Sequence, residues 1–354
     1  MTGSAVEVPA GRASSRRVQR WTATSGVFTT AFAALLVLLI FVPQAMSENV
    51  TQKLTTLFIL VILAVMWNAL AGFGGLVSVG QQAFIGIAAY GALEFGQVHS
   101  VNPFLSLLLG AFVAAAVAIP LGFVVLQLRG GGFAIATWVV ADAAMIIVEQ
   151  INGLQGGTGL SFNNLTLTYN DPHRRLELVY WCALGAMAFL LLAVFVLLRT
   201  RTGASLRAIR DDEDAASSVG VRVFRNKFLL WVLAALGCGA AGSLILANQF
   251  FVNPPSIFTV NYSADMLFMV LVGGIGTFEG PIIGAIVLFV IQNQMSNSGV
   301  WYYVLIGGVA IGVALLLPRG IWGTLVDRFG VRLLPVGYRV RGGSPRRVAT
   351  GTTE

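Results

Sequence analysis

Long apolar runs separated by short polar stretches dominate the chain. Ten such runs can be traced, at 26–43, 54–72, 78–96, 104–127, 131–150, 178–198, 226–250, 264–278, 280–295 and 299–317. A helix needs about 20 mainly apolar residues to cross the hydrocarbon core of a bilayer. A spanning segment must also satisfy its own backbone hydrogen bonds, and a helix does so. The pattern predicts an all-α, polytopic membrane protein with about ten transmembrane segments.

Three of these runs are irregular. Glycines interrupt 78–96, and the short runs 264–278 and 280–295 are separated only by the stretch 277–281. The sequences GGLVSVGQQAFIG (74–86) and GGIGTFEGPIIG (273–284) share a glycine pair followed by further glycines and an apolar run. Transporters are often built from repeats whose helices break at corresponding places. We therefore expect breaks at both glycine-rich stretches and consider an internal repeat, which this limited similarity leaves open.

The basic residues indicate the orientation of the segments. If 1–25 is cytoplasmic and every segment crosses, 19 of the 22 Lys and Arg residues face the cytoplasm, as the positive-inside rule requires. This places the tails 1–25 and 318–354 and the loop 199–227 inside the cell, on either side of a transmembrane domain, 26–317. The net charge of +7 then reflects topology in a plasma (inner) membrane rather than a nucleic-acid partner. The parity of the count predicts that 78–96 crosses; the pair 264–278 and 280–295 fits the count whether it crosses or dips in.

One run of acidic residues stands out in the loop 199–227. Asp211, Asp212, Glu213 and Asp214 are consecutive, and the chain has only 15 acidic residues. We expect Asp211 to cap a short helix whose first turn holds the other three acids, where the helix dipole favours negative charge. Gly220 follows where a left-handed residue would end such a helix. Because a helix this short is marginal alone in water, we expect it to dock on another surface.

The middle of that short helix is made of small residues. Ala215 and Ala216 precede two serines, and Arg207 and Arg210 lie upstream. Small side chains would let a partner approach closely, with the arginines and acids as flanking charges. The alternative is a solvated loop whose charges only set topology. Acidic residues contribute little to topology, so the docking interpretation is favoured.

These residues resemble a known family. The stretch 214–220, in which three residues separate Asp-Ala-Ala from Gly, is similar to the cytoplasmic loop of ATP-binding-cassette importer permeases. The longer stretch RTGASLRAIRDDEDAASSVGV (201–221) resembles that of the branched-chain amino-acid permease family. Four other stretches resemble the same family in the same order: GLVSVGQQAFIGIAAYGA (75–92), LRGGGFAIAT (128–137), GGTGLSF (156–162) and VLVGGIGTFEGPIIGAIV (270–287). The resemblance covers about residues 50–325.

The resemblance implies a permease subunit of an importer. It implies a second homologous permease, two ATPase subunits and an extracytoplasmic solute-binding protein, with the loop 199–227 forming a coupling helix that inserts into a groove of an ATPase subunit. The sequence departs from the family at Asp214, where Glu is usual, at Met145, where Arg is common, and at Gln155, where Thr is usual. These departures put the solute in doubt. Branched-chain amino acids are the first candidate, and urea or a short amide is the alternative.

The chain contains no signature of its own chemistry. It has no GxxxxGK[ST], HExxH or GxSxG sequence, so we expect no catalytic residue, metal site or cofactor. Cys182 and Cys238 fall in apolar runs, as core residues do. A stand-alone secondary transporter or channel remains the other class, although few ionisable residues lie inside the segments to couple an ion.

Polar residues inside or beside the segments are the candidates for the solute path. Asp142 lies near the middle of 131–150, and its role as path lining or as a helix–helix hydrogen bond stays open. Gln81, Gln82 and Gln150 are similar cases, although membrane glutamines more often hold helices together. Thr158 lies in the family-like stretch 156–162.

Overall fold

The computed structural model describes residues 17–19, 23–151, 158–295, 299–329 and 339–341. Its first half contains α1 (Ala23–Ile40), α2 (Val42–Ala45), α3 (Glu48–Asn68), α4 (Gln82–Leu93), α5 (Pro103–Val125), α6 (Gly131–Glu149) and α7 (Asn163–Thr168). Its second half contains α8 (Pro172–Arg199), α9 (Arg201–Asp211), α10 (Glu213–Ser218), α11 (Val223–Gln249), α12 (Pro254–Ile257), α13 (Asn261–Gly273), α14 (Gly280–Met295), α15 (Val300–Leu316) and α16 (Gly320–Phe329). The all-α prediction is confirmed. Most of the predicted tails, 1–25 and 318–354, lies outside the described residues.

Short strands form two antiparallel pairs in the described part of the chain. Strand β1 (Arg17–Gln19) pairs with β4 (Arg339–Arg341), and β2 (Leu160–Ser161) pairs with β3 (Phe251–Val252). The second pair joins the segment after α6 to the end of α11.

The chain is an integral membrane protein. Among the described residues, seven helical stretches are long and apolar enough to cross a membrane, at Glu48–Phe73, Pro103–Val125, Gly131–Glu149, Pro172–Arg199, Val223–Gln249, Pro254–Gly273 and Val300–Arg328. Thr30–Ile40 and Gly280–Met295 are shorter apolar helices. The remaining predicted segment contains α4 and a π turn, Glu94–Val98. Each of the ten predicted segments therefore contains a helix.

Caps shift some helix starts away from the predicted boundaries. Asp171 accepts a hydrogen bond from the amide of His173 at 3.0 Å, and Pro172 occupies the first turn, where its missing N–H costs nothing. Helix α8 therefore begins six residues before the apolar run 178–198. Asn102 caps α5 in the same way.

The core is built around α3 and α11. In their most apolar parts, 83% of the α3 residues and 72% of the α11 residues are buried. The same share is 22% for α6 and 0% for the stretch that contains α15. Helices α4, α5 and α11 pack closely on one another through buried small residues, among them Ala88, Ala114, Ala118, Ala234 and Ala241. Small residues let membrane helices approach closely. The two poorly covered helices, α6 and α15, leave broad apolar faces outside the subunit.

Both glycine-rich stretches interrupt the helices, as predicted. Helix α3 continues through a π turn, Ala69–Phe73, and the chain is non-helical over 75–81 before α4 begins. Helix α13 ends at Gly273, and 274–279 is non-helical before α14. The two motifs thus form the same helix–break–helix arrangement, while the internal repeat itself stays a prediction. The segments 78–96 and 264–278 were predicted as continuous, but each includes several non-helical residues of a break.

Side chains satisfy the backbone of the first break. Trp67 donates its Nε1–H to the carbonyl of Ser78 at 2.8 Å, the amide of Val79 donates to Thr137 Oγ1 at 3.2 Å, and Ser263 donates to the carbonyl of Val79 at 3.0 Å. Non-helical backbone at membrane depth is tolerated only where protein or water provides such partners. The break is therefore held between α3, α6 and α13.

Candidate functional site

The acidic run forms the turn of a helical hairpin, which we call the α9–α10 hairpin (Arg201–Ser218). Asp212 is extended between the two helices, and its Oδ1 accepts from the amides of Asp214 at 3.0 Å and Ala215 at 2.9 Å. The predicted cap, Asp211, is wrong by one residue, because Asp211 still belongs to the last turn of α9. The cap and the following Glu213 and Asp214 place negative charge at the start of α10, where the dipole favours it.

Asp211 has a different partner. Its Oδ1 accepts from Nε of Arg210 at 3.1 Å and from Nη2 at 2.9 Å. The other terminal nitrogen of Arg210, Nη1, donates to the carbonyl of Gly72 at 2.9 Å. Arg210 therefore connects the hairpin to the π turn that ends α3, and Asp211 holds the guanidinium in that orientation.

Glu213 and Asp214 form ion pairs within the chain. Lys227 Nζ lies 2.6 Å from Glu213 Oε2, and the Lys227 side chain is only 6% exposed. Arg129, in the turn between α5 and α6, lies 3.5 Å from Glu213 and 3.3 Å from Asp214. Pairs as exposed as that between Arg129 and Asp214 contribute little, whereas the Lys227 pair is shielded from water. Three of the four acids thus pair within this chain, which the sequence analysis did not foresee.

Gly220 ends α10 as predicted. Its φ is +85°, its amide donates to the carbonyl of Ser217, and the amide of Val221 donates to the carbonyl of Ala216. This is a Schellman motif, in which a left-handed residue closes the helix.

The exposed face of α10 differs from the predicted one. Ala216 is only 3% exposed, because α10 packs on α9 and α11. Ala215, Ser218 and Val219 are exposed at helical spacing, and Val219 is 78% exposed. Arg207 is half-buried, and its Nη2 donates to the carbonyl of Leu198 at 3.2 Å. Residues 215, 218 and 219 therefore form part of the outward surface of α10, beside the exposed Asp214 and Ser217.

Asp142 lies on the outward face of α6. It is exposed, and so are the apolar residues Ile135, Val139 and Ile146 on the same side of the helix. An ionised carboxylate facing lipid at the middle of a helix costs about 2.5–3.5 kcal/mol on insertion scales. The face of α6 that carries Asp142 is therefore expected to contact water or another protein rather than lipid. Gln150, which caps the end of α6, and Thr158 are also exposed.

Gln81 and Gln82 are placed differently from those three residues. Both are 0% exposed at the start of α4. Gln81 donates to Ser78 Oγ at 3.1 Å, and Gln82 Oε1 accepts from Ser263. Gln81 Oε1 and Gln82 Nε2 are among the buried polar atoms of the described residues that lack a partner. The two glutamines are thus buried in the interior of the subunit. The five predicted path residues therefore do not lie on one surface.

A cavity with polar side chains lies at the start of α13, at the end opposite the glycine break, and was not predicted. It has a volume of about 470 Å³ and is lined by side chains of α13, α14 and α15, among them Asn261, Asp265, Gln292, Tyr302 and Tyr303. Gln292 Nε2 lies 3.5 Å from Asp265 Oδ2 and donates to the hydroxyl of Tyr302 at 3.0 Å. The spacing of Asn261 and Asp265, four residues apart at a helix start, was the available signal in the sequence.

Comparison with known proteins identifies relatives of the chain. The family described as branched-chain amino acid transport system / permease component matches residues 49–314. The high-affinity branched-chain amino acid transport system permease protein LivM of Escherichia coli (strain K12) is 30% identical over 312 residues, covering 81% of this chain and 73% of LivM.

Sugar permeases are also similar to the chain. The ribose import permease protein RbsC of Bacillus subtilis (strain 168) is 26% identical, covering 81% of this chain and 91% of RbsC. The galactose/methyl galactoside import permease protein MglC of Salmonella typhimurium is 25% identical, covering 82% and 93%. Among solved structures, PsaBC from Streptococcus pneumoniae in complex with Fab aligns over 81% of this chain and 96% of that chain, with 15% identity. Its TM-score is 0.43.

Proposed function

The chain belongs to the branched-chain amino acid transport system permease family, and we propose that it is one of two permeases that form the solute path of an ATP-binding-cassette importer. Family membership makes it a membrane transport permease that assembles with other transporter components. The partners we propose are a second homologous permease, two ATPase subunits and an extracytoplasmic solute-binding protein. In this proposal ATP is hydrolysed by the ATPase subunits and not by this chain.

The α9–α10 hairpin supports the ATPase partner most directly. Its acids and Arg210 fasten it to α3, α11 and the turn before α6, so its shape does not depend on a partner. Ala215, Ser218 and Val219 form a narrow exposed surface with a protruding apolar residue, bordered by the exposed Asp214 and Ser217. Such a face suits insertion into a groove of another protein, and it lies in the part of the chain that resembles importer docking loops.

The outward faces of α6 and α15 support a second permease. These are the least covered of the long helices, and Asp142 lies in the middle of the α6 face. A carboxylate at this position requires a polar or aqueous surrounding. A solute path between two permeases supplies both the protein contact for the apolar residues and water for Asp142.

Branched-chain amino acids are the solute that we propose. LivM, named for branched-chain amino acids, is 30% identical to the chain, whereas the sugar permeases RbsC and MglC are 26% and 25% identical. Urea or a short amide, and a sugar, are the alternatives for the solute. A transporter or channel that works alone is the alternative in class.

Uptake by cells that lack the gene, with and without a restored copy, tests the solute. Labelled leucine uptake should disappear in the deletion strain, return with the wild-type chain, and be inhibited by unlabelled valine and isoleucine. Inhibition by urea and acetamide only, or by ribose only, would assign a different solute. Uptake that persists after ATP depletion while the proton gradient is maintained would show that no ATPase drives it.

Purification of the tagged chain from its native membrane tests the assembly. We expect a second permease and an ATPase with a P-loop sequence to co-purify in fixed stoichiometry with the wild-type chain. Ser218→Trp should remove the ATPase and leave the second permease bound. Retention of the ATPase by that variant would show that the α10 face is not the docking surface.

A further inference from the structure

The two helix breaks touch each other, and Asn68 joins them. Asn68 Nδ2 donates to the carbonyl of Thr277 at 2.7 Å, and Asn68 Oδ1 accepts from the amide of Gly276 at 2.9 Å. Asn68 is the last residue of α3 before the π turn, and it is 2% exposed. The side-chain amide of Asn68, next to the first break, thus both donates to and accepts from the backbone of the second break. A β-strand binds its neighbour with the same pair of hydrogen bonds.

The contact between the breaks requires glycine. A Cβ on Gly72 would lie 2.6 Å from the amide nitrogen of Gly276, closer than real Cβ contacts. Arg210 reaches the same point from α9, because its Nη1 donates to the carbonyl of Gly72 and a Cβ on Gly276 would lie 3.1 Å from that nitrogen. We call Asn68, Gly72, Arg210, Gly276 and Thr277 the glycine clip.

The guanidinium suits this position for two reasons. The carbonyl of Gly72 is at the C-terminal end of the helical stretch, where carbonyls lack intrahelical partners and the dipole favours a cation. Arginine also offers a rigid fork, so that Nε and Nη2 bind Asp211 while Nη1 binds Gly72. Lysine could keep the charge but could not make both connections at once.

We propose that the glycine clip links the α9–α10 hairpin to the two breaks during transport, with Asn68 and Arg210 as positioning residues. This inference rests on the proposed function, because it needs an ATPase that moves the hairpin. With the hairpin in the observed position, Arg210 and Asn68 hold both breaks together. A shift of α9 withdraws Arg210 from the carbonyl of Gly72, and the breaks then act as hinges for the helices that continue from them.

The local structure fits a hinge. The π turn and the glycine break are interruptions at which helices commonly bend at functional sites. Ala69 to Phe73 are all buried, whereas Arg210 is exposed and lines a cavity of about 460 Å³ together with Gly276 and Thr277, so water can reach the groups that the contact releases. The members come from three elements, α3, α9 and the loop before α14, and each connection can be lost without unfolding a helix. Such discrete arrangements are what allow a local shift to be transmitted.

Transport by the reconstituted complex, with ATP hydrolysis measured in parallel, tests the proposal. The variants are Arg210→Lys and Asn68→Ala, and Arg129→Lys is the matched control, because Arg129 contacts the same acidic run but neither break. We expect the amount of solute moved per ATP to fall roughly tenfold in both clip variants, within the range usual for coupling between sites. The control should match the wild type, and ATPase should co-purify with every variant.

The outcomes separate the two proposals. Absence of an ATPase from the wild-type complex would remove the proposed function itself. A wild-type ratio of solute to ATP in Arg210→Lys and Asn68→Ala, with the ATPase bound, would overturn the glycine clip alone. If Asn68→Ala lowers the yield of complex, the result for Arg210→Lys, which keeps the charge and bulk, is decisive. A purely structural role would change the yield of complex but not the amount of solute moved per ATP.

Discussion

Each acidic residue of the run 211–214 has its own function in the structure. Asp211 orients Arg210, Asp212 caps α10, Glu213 pairs with Lys227, and Asp214 approaches Arg129. A run that appears as one island of charge in the sequence is therefore four separate contacts. Substitutions at neighbouring positions should have different consequences.

The cap is the first case. Asp212→Asn should change little, because Asn caps nearly as well as Asp, whereas Asp212→Ala should destabilise α10 by about 1 kcal/mol. Hydrogen exchange of the Asp214 and Ala215 amides in the purified protein measures this. We expect faster exchange for Asp212→Ala only; equal exchange in both variants would show that the cap hydrogen bonds do not hold the helix start.

The buried ion pair is the second case. Lys227→Ala leaves Glu213 without its closest cation, so the loss of stability should exceed the 0.2–1 kcal/mol, roughly, of an exposed pair. It should stay below the 3–5 kcal/mol, roughly, of a fully buried pair, because Glu213 keeps Arg129 and some water. Thermal unfolding in detergent should show a larger decrease for Lys227→Ala than for Arg129→Ala. The opposite order would mean that the Lys227 pair does not stabilise the hairpin.

At the scale of the element, α6 carries the prediction for Asp142. Asp142→Ala should reduce uptake and leave insertion and assembly intact, because the carboxylate faces outward from the bundle formed by the described helices. Uptake is compared with the amount of chain in the membrane, with Asp142→Glu as the matched variant that keeps the charge. Unchanged uptake in Asp142→Ala would exclude this residue from the solute path.

Helix α10 carries the next prediction. Ala216 is buried, so Ala216→Arg should disturb the hairpin itself, and Ser218→Arg should affect only a partner. Limited proteolysis of the hairpin distinguishes the two, and we expect faster cleavage for Ala216→Arg. If Ala216→Arg resists cleavage as the wild type does, the packing of α10 on α9 and α11 is looser than the structure shows.

Features that depend on neighbouring residues in the sequence could be predicted, whereas contacts between helices that are distant in the sequence could not. Helix type, order and the glycine breaks depend on local pattern, and these predictions are confirmed. The closure of α10 at Gly220 is also local. The partners of Arg210 and Glu213 and the burial of Ala216 depend on which helices become neighbours, which a single sequence does not show. For the same reason Asn68 went unnoticed, although a lone amide in the apolar run 54–72 was visible.

The position of Asp142 shows the same limit in another form. Its depth in the membrane could be read from the sequence, but its direction could not, because a rotation of the helix by half a turn moves a side chain from the core to the outside. Gln81 and Gln82 ranked below Asp142 as path residues, because membrane glutamines more often hold helices together, and both are buried beside the break at 75–81.

At the scale of the whole molecule, the remaining prediction is orientation. In a chain with Cys182→Ala, a reagent that does not cross the membrane should label His173→Cys from outside intact cells and leave Arg201→Cys unlabelled until the cells are opened. Both positions are exposed and neither lies on the proposed docking face of α10, so a lack of reaction reflects sidedness and not burial. Labelling of position 201 in intact cells would reverse the orientation inferred from the basic residues.

The uncovered carboxylate of α6 also bears on how the amount of this protein is controlled. If a second permease covers this face, as proposed above, a copy that enters the membrane alone presents Asp142 and an apolar face without that cover. We expect membrane quality-control proteases to degrade such a copy, so that overproducing this chain alone leads to turnover rather than accumulation.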